Sequence, residues 1–312
     1  MADPTVTVVP AGWAVAAAGL LGLLAVAAAA LDGFLTARAT GAGPAGLSRP
    51  FGEVTRLMRQ RRRVTVAADR LLWRIGGAGL LVMALLITTV VPLGDWALVD
   101  LDVGVVWVNA LDVLAWAFVW LTGWGANSAH SLVGGYRFLA HGLAYELPLM
   151  FALVAPAVGA STLNVGTVAA AQRDLWFVVW MPVAFVVFCT GVLAIAVWGP
   201  FSPAVGADVA GGVTAELSGV DRLLFLGGRY ALLAAGSAFA VPMFLGGGAG
   251  PVLPGWAWVL VKASALLGVF VWLRRRLPAV RPDSFLEAGW LVLLPAVLVQ
   301  DLVVALVATG GG

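Results

Sequence analysis

Long apolar runs separated by short polar segments dominate the chain. Eight runs, at about 13–31, 71–92, 105–122, 141–160, 175–198, 222–245, 256–273 and 288–308, are each long enough to cross the hydrocarbon of a bilayer as a helix. Blocks such as 14–31 are apolar on every side, which the alternating segments of a membrane β-barrel never are. The pattern predicts an all-α, polytopic transmembrane helical bundle of about eight spans. The loop at 32–70 carries Phe51, Val54, Leu57 and Met58 at helical spacing, with Glu53, Arg56, Arg59, Arg61, Arg62 and Arg63 on the other faces. That arrangement predicts an amphipathic helix lying in the membrane interface, with lipid as one partner. A second polar loop runs over 199–221. With no soluble domain and no internal repeat, 1–312 reads as a single integral membrane domain, and the missing repeat argues against an inverted-repeat transporter. Gly246 to Gly250 follows no strand, so it reads as a turn and not a phosphate loop.

Composition sharpens this picture. Hydrophobic residues make up 62% of the 312 positions and charged ones 11%, against about 45–50% and about 25% in a soluble domain. The net charge of +2 is a matter of topology. With the first loop inside, fifteen basic residues face the cytoplasm and only Arg173 faces out, beside Asp95, Asp100, Asp102 and Asp174. Both termini are then expected outside, and the basicity gives no reason to expect nucleic acid as a partner. Trp73, Trp96, Trp124, Trp198, Trp256 and Trp272 fall at predicted helix ends, where amphipathic rings anchor spans at the interface. The lone cysteine, Cys189, rules out an intramolecular disulfide and a thiolate cluster. The first run has neither a basic region before it nor a cleavage site after it, so it is expected to stay as helix one.

Ionisable side chains inside spans are costly and mark candidate chemistry. They are Asp112, Glu146, Arg229, Lys262 and Asp301. Glu146 follows Tyr145 and precedes Pro148; the alternative to a functional group is a solvated helix end. Lys262 is the one lysine beside 17 arginines. It can snorkel outward or gain and lose a proton. Arg229 is expected to pair with Glu216 or Asp208 of the preceding loop. Asp112 and Asp301 have no partner visible in the sequence. His130 and His141 would share a face of a continuous helix about 16 Å apart, too far to hold one metal unless the chain folds back, and two histidines without cysteine ligands argue against haem.

The segment Gly123-Trp124-Gly125-Ala126-Asn127-Ser128, then Gly134, Arg137 and Tyr145-Glu146-Leu147-Pro148, closely resembles a block of the H subunit of bacterial NADH:quinone oxidoreductase, the complex I subunit 1 family. A second block, Lys262, Trp272, Arg274, Leu277-Pro278, Arg281, Asp283, Gly289-Trp290 and Leu294-Pro295, is similar to that family's seventh helix and the loop after it. Weaker matches are Asn164, Gln172, Pro200-Phe201, and Glu216 with Ser218-Gly219. The resemblance implies a multi-pass subunit of the cell inner membrane that works with other membrane and peripheral subunits. It implies a wall of a chamber in which a quinone, ubiquinone or menaquinone, is reduced as substrate, with no cofactor bound by this chain. The chamber residues would be Arg38, Trp124, Asn127, Ser128 and Arg137. A proton path would run through Tyr145, Glu146, Asp208, Glu216 and Lys262, and Arg274, Arg281 and Asp283 would dock partners.

The chain also departs from the family pattern. Ile195 stands at a carboxylate position and Trp198 at an arginine position, only Asp208 survives of an acidic run, and Arg229 replaces a carboxylate. The alternative implied is a membrane anchor in a complex-I-like assembly, such as a membrane-bound hydrogenase, with a degenerate proton path.

Overall fold

In a computed structural model the structure describes residues 6–41, 43–206 and 208–310. The helices are α1 (Trp13–Ala39), α2 (Arg49–Arg59), α3 (Arg70–Thr88), α4 (Gly104–Gly125), α5 (Ala129–Gly159), α6 (Val165–Ala170), α7 (Phe177–Trp180), α8 (Pro182–Ile195), α9 (Gly219–Phe244), α10 (Gly255–Arg276), α11 (Pro282–Ala288) and α12 (Leu294–Gly310). Among the described residues, eight segments are long and apolar enough to span a membrane: α1, α3, α4, α5, α8 with the 3₁₀ turn that follows it, α9, α10, and α11 through α12. The protein is an all-α multi-pass membrane bundle. A two-residue parallel pair, β1 (Thr7–Val8) beside β2 (Trp96–Ala97), is the small exception and ties the start of the chain to the loop after α3.

The bundle is organised around α9, the most enclosed span, while α1 and α12 expose most of their apolar surface. In lipid, apolar surface alone does not drive helices together, so small residues that admit close packing do much of the work. α9 buries Ala231, Ala234, Ala235, Gly236 and Ala240, and α3 presents Gly79 to the Phe118 ring of α4. Outward positions such as Val15, Leu23, Leu291 and Leu302 stay exposed.

Several boundaries differ from the sequence reading for physical reasons. α1 continues past 31 to Ala39, because Asp32 lies within it on a charged partner and not in water. α5 begins at Ala129, twelve residues before the expected 141, since its polar first turns pack on the loop at 199–218. The span expected from 175 is broken at Met181, before Pro182 opens α8. Pro148 inside α5 leaves the Ala144 carbonyl without its helical donor, and Gly289 lies against that carbonyl, where a Cβ would collide with it. There the chain forms a π turn over Gly289–Leu293, just before Pro295.

Two tryptophans expected at the interface are core residues: Trp73 is buried, and Trp198 is fully enclosed. Trp96, Trp124, Trp256 and Trp272 are exposed. α2 lies against α1 and α9. It buries Leu57 while Phe51 and Met58 face outward. An ion pair runs along its surface from Arg56 to Glu53 at 2.6 Å, and that guanidinium holds the Glu53 carboxyl below its usual value.

Candidate functional site

Polar chemistry gathers in three places: the arginine-rich end of the bundle, the middle of α4 and α5, and the turn after α9 at the opposite end. At the arginine-rich end, three loops are stitched together by side chains. Asn127 takes a left-handed conformation (φ 45°), which asparagine tolerates better than most residues. Its Nδ2 donates to the Val66 carbonyl at 3.0 Å, and the Thr65 hydroxyl donates to the Ala126 carbonyl. The Arg63 amide donates to Ser218 Oγ at 2.8 Å, and the Gly219 amide to Gln60 Oε1 at 3.2 Å.

Ser128 sits at the N-cap of α5, yet its hydroxyl donates to Glu216 Oε1 at 2.8 Å instead of capping the helix. The carboxylate thereby lies at the positive end of α5. Arg137 pairs with Asp208 at 2.9 Å and donates to the carbonyls of Pro203 and Gly211 at 3.1 and 3.2 Å. The Arg137 hydrogen bond holds the Asp208 carboxyl below the ordinary aspartate range. Gly134 admits this loop, because its Cα faces the backbone of Gly212 and Val213 with no room for a side chain.

On the other side of the same end, Asp32 accepts from Arg274 at 2.6 Å, Arg275 at 2.7 Å and the Tyr230 hydroxyl at 3.2 Å. Arg275 also reaches the Thr36 hydroxyl. The Trp198 indole donates to the Phe270 carbonyl at 3.0 Å and has two guanidinium groups near its ring, Arg274 at 4.7 Å and Arg229 at 5.6 Å. Arg229 donates to the Ala196 carbonyl at 3.2 Å and to that of Val197. The expected pairing of Arg229 with Glu216 or Asp208 is therefore corrected: those acids are held by Ser128 and Arg137, and Arg229 caps the end of α8. Arg274 is likewise committed within the chain, whereas Arg281 and Asp283, 4.0 Å apart, are largely exposed. Arg38 ends α1 in the open, and Trp124 is exposed with its ring 5.9 Å from that of Trp120.

In the middle of the bundle, the Asp112 and Glu146 carboxyls come within hydrogen-bonding reach of each other. The Trp116 indole donates to Glu146 Oε2 at 3.1 Å. Asp112 Oδ1 and the Tyr145 hydroxyl are buried without a hydrogen-bond partner. A cavity of about 30 Å³ is lined by both Asp112 and Ile195. The place of Asp112 beside Glu146 is what sequence reasoning missed: the partner lies on the next span, 34 positions on, and only a match of depth along α4 and α5 could have signalled it. His141, on the same α5 as His130, packs edge-on to Phe201 and Phe285.

At the opposite end, Lys262 Nζ donates to the carbonyls of Leu245, Gly247 and Ala249 at 2.7, 2.9 and 2.8 Å. The ammonium also sits 4.1 Å from the centre of the Trp176 ring. The glycine-rich turn is thus a carbonyl cradle for a cation. Lys262 stands apart from Asp208 and Glu216 of the expected proton path: Arg274, at the arginine-rich end with them, is about 18 Å away along α10. Gln172 and Asn164 are structural here, Gln172 accepting from the Gly246 and Phe177 amides at 3.0 and 3.2 Å and Asn164 capping α6. An apolar cleft of about 450 Å³, lined by Trp13, Leu20, Leu24, Trp96 and Leu260 among others, lies at this end.

Buried acids within apolar spans, with a loop cluster held by serine, arginine and carboxylates at one end, mark a polytopic membrane protein that keeps ionisable groups inside its spans. Comparison with known proteins narrows that class. The NADH dehydrogenase family pattern matches residues 9–305. The second H subunit of NADH-quinone oxidoreductase from Geobacter sulfurreducens is 33% identical over 272 residues, covering 84% of this chain and 83% of the relative. The H subunit of the same oxidoreductase from Anoxybacillus flavithermus is 31% identical over 269 residues, 84% and 80% of the two chains. The second H subunit from Rhodopseudomonas palustris is 34% identical over 268 residues, 85% and 84%. The chain belongs to the NADH dehydrogenase family, as a divergent relative of these H subunits.

Proposed function

We propose that this chain is the membrane subunit of a complex I type NADH:quinone oxidoreductase that helps wall the quinone chamber and links it to a proton path. The observation that carries the reading is the direct contact of two groups singled out for different tasks. Ser128 and Arg137, on the quinone side, hold Glu216 and Asp208, on the proton side, at 2.8 and 2.9 Å. Quinone reduction takes up two protons with two electrons, so carboxylates bonded to chamber-side donors are placed to respond to that uptake. A cavity of about 280 Å³ lined by Arg62, Arg74, Gly77, Ala78, Asp221 and Leu224 adds support, because it opens beside the loops that Asn127 and Ser128 fasten. Other complex I membrane and peripheral subunits are the partners, and the quinone is a substrate supplied from the lipid.

A second reading, an anchor with a degenerate proton path, draws on Arg229 and Lys262, whose cationic groups are both held by backbone carbonyls. Glu146→Gln separates the two, since it removes the titratable proton and keeps size and polarity. In the assembled complex, quinone-linked NADH oxidation should fall about tenfold or more, about 1.4 kcal/mol in the barrier. Unchanged turnover at full assembly would favour the anchor.

A further inference from the structure

We propose that Asp112 and Glu146 form a proton-sharing carboxyl pair, with Asp112 as the member that holds the proton at rest and Glu146 as the member that exchanges one with the chamber side. The inference rests on the proton-path reading and extends it to a residue outside the family motifs.

Asp112 lies about 12 Å along α4 from one helix end and about 20 Å from the other, well inside the hydrocarbon. Only 3% of its surface is exposed, and Oδ1 has no hydrogen-bond partner. The titratable groups that face it are Glu146 and the buried Tyr145 hydroxyl, both from α5. At the cavity, α3 presents Met83 and Ile87, α8 presents Phe188 and Ile195, and α9 presents Leu232 and Phe239, all apolar. Two ionised carboxylates side by side in such surroundings are prohibitively costly, whereas one proton between them turns repulsion into a charge-assisted hydrogen bond. The Trp116 N–H bond to Glu146 favours the negative charge on Glu146 and so leaves the proton on Asp112.

The cycle balances with protons alone. In the resting pair Asp112 is an acid and Glu146 a carboxylate, with net charge −1. A proton arriving from the chamber side forms an O–H bond on Glu146 and makes the pair neutral. When the chamber side takes a proton back, that O–H bond breaks and the resting pair returns. Ile195 lines the same cavity, at a position where the family resemblance implies a carboxylate, so α4 here supplies an acid that α8 lacks.

Infrared difference spectroscopy on the assembled complex, with proton translocation measured in parallel, tests the pair. The wild-type complex should show a protonated carboxyl band that shifts in deuterated water, disappears in Asp112→Asn and shifts in Glu146→Gln. Translocation should fall about tenfold or more in Asp112→Asn, while electron transfer from NADH to an artificial acceptor is unchanged. Adding Ile195→Glu to Asp112→Asn should recover part of the translocation by returning an acid to the same cavity. Full translocation in Asp112→Asn with a loss in Glu146→Gln would overturn the pair and leave the proton-path reading standing; no loss in either variant overturns both. Should Asp112→Asn not assemble, the band alone decides, because its absence from the wild-type complex, or its indifference to Glu146→Gln, refutes the sharing.

Discussion

Arg274 donates a 2.6 Å bond to Asp32, joining the end of α10 to the end of α1 across 242 positions of sequence. Asp32 is nearly enclosed and also holds Arg275, so one carboxylate bridges two guanidinium groups. Removing the shared negative charge leaves two cations facing each other and one acceptor oxygen where there were two. Asp32→Asn should therefore destabilise the detergent-solubilised protein by about 2–3 kcal/mol, less than for a fully buried pair because both arginines are partly exposed. Thermal unfolding of Asp32→Asn beside Arg275→Gln checks this. The aspartate change should lower Tm more, since it releases both arginines.

Lys262 calls for the opposite distinction between stability and chemistry. Its ammonium satisfies three carbonyls of the 245–249 turn, so Lys262→Met strands three acceptors in a poorly hydrated site. A cost of about 1–3 kcal/mol follows, with increased hydrogen exchange confined to that turn and the start of α10. Proton translocation per assembled complex should be retained. Loss of translocation at full assembly would return Lys262 to the proton path.

The spans were legible because a bilayer imposes its thickness on the sequence: about twenty consecutive apolar residues match the hydrocarbon depth, and soluble helices seldom sustain such a run. What the pattern could not give were contacts whose partners carry no sequence signal. Lys262 and Arg229 both bond to backbone carbonyls, which every residue has, so their partners could not be read from side-chain chemistry. Asp112 and Glu146 meet only because α4 and α5 are antiparallel and in a particular register. The early start of α5 was hidden because its first turns face a polar loop instead of lipid and therefore carry Ser131, Arg137 and His141. Trp198 was misplaced for a related reason: a tryptophan at a span end reads as an interfacial anchor, and only the fold shows arginines closing over it.

Arg229 also changes how the missing family carboxylates can be tested. Its side chain caps Ala196 and Val197 at the negative end of α8, where a cation is favoured. Arg229→Glu loses these bonds and sets an anion against carbonyls, so it should cost about 3 kcal/mol or more and deplete the assembled complex. Arg229→Met, which keeps bulk without repulsion, should cost less. Quantifying the subunit in purified complexes distinguishes them; equal yields of the two variants would show that Arg229 does not cap α8. Ile195→Glu is accordingly the cleaner restoration, because it leaves this cap intact.

The Arg137–Asp208 pair predicts a pH dependence confined to acid. The bond to Arg137 lowers the Asp208 pKa on folding, so its stabilising contribution is present above the unfolded value of about 3.9 and disappears as pH falls through the lower folded value. The loop over 199–218 should hence stay protected from proteolysis from neutral pH down to about 4 and loosen below it. Asp208→Asn should be more susceptible at neutral pH and lose most of the acid-dependent change. Since the same arginine also holds the carbonyls of Pro203 and Gly211, Arg137→Met should loosen the loop further than Asp208→Asn at every pH. Equal protection of the two variants at neutral pH would mean that the carbonyl bonds contribute nothing beyond the ion pair.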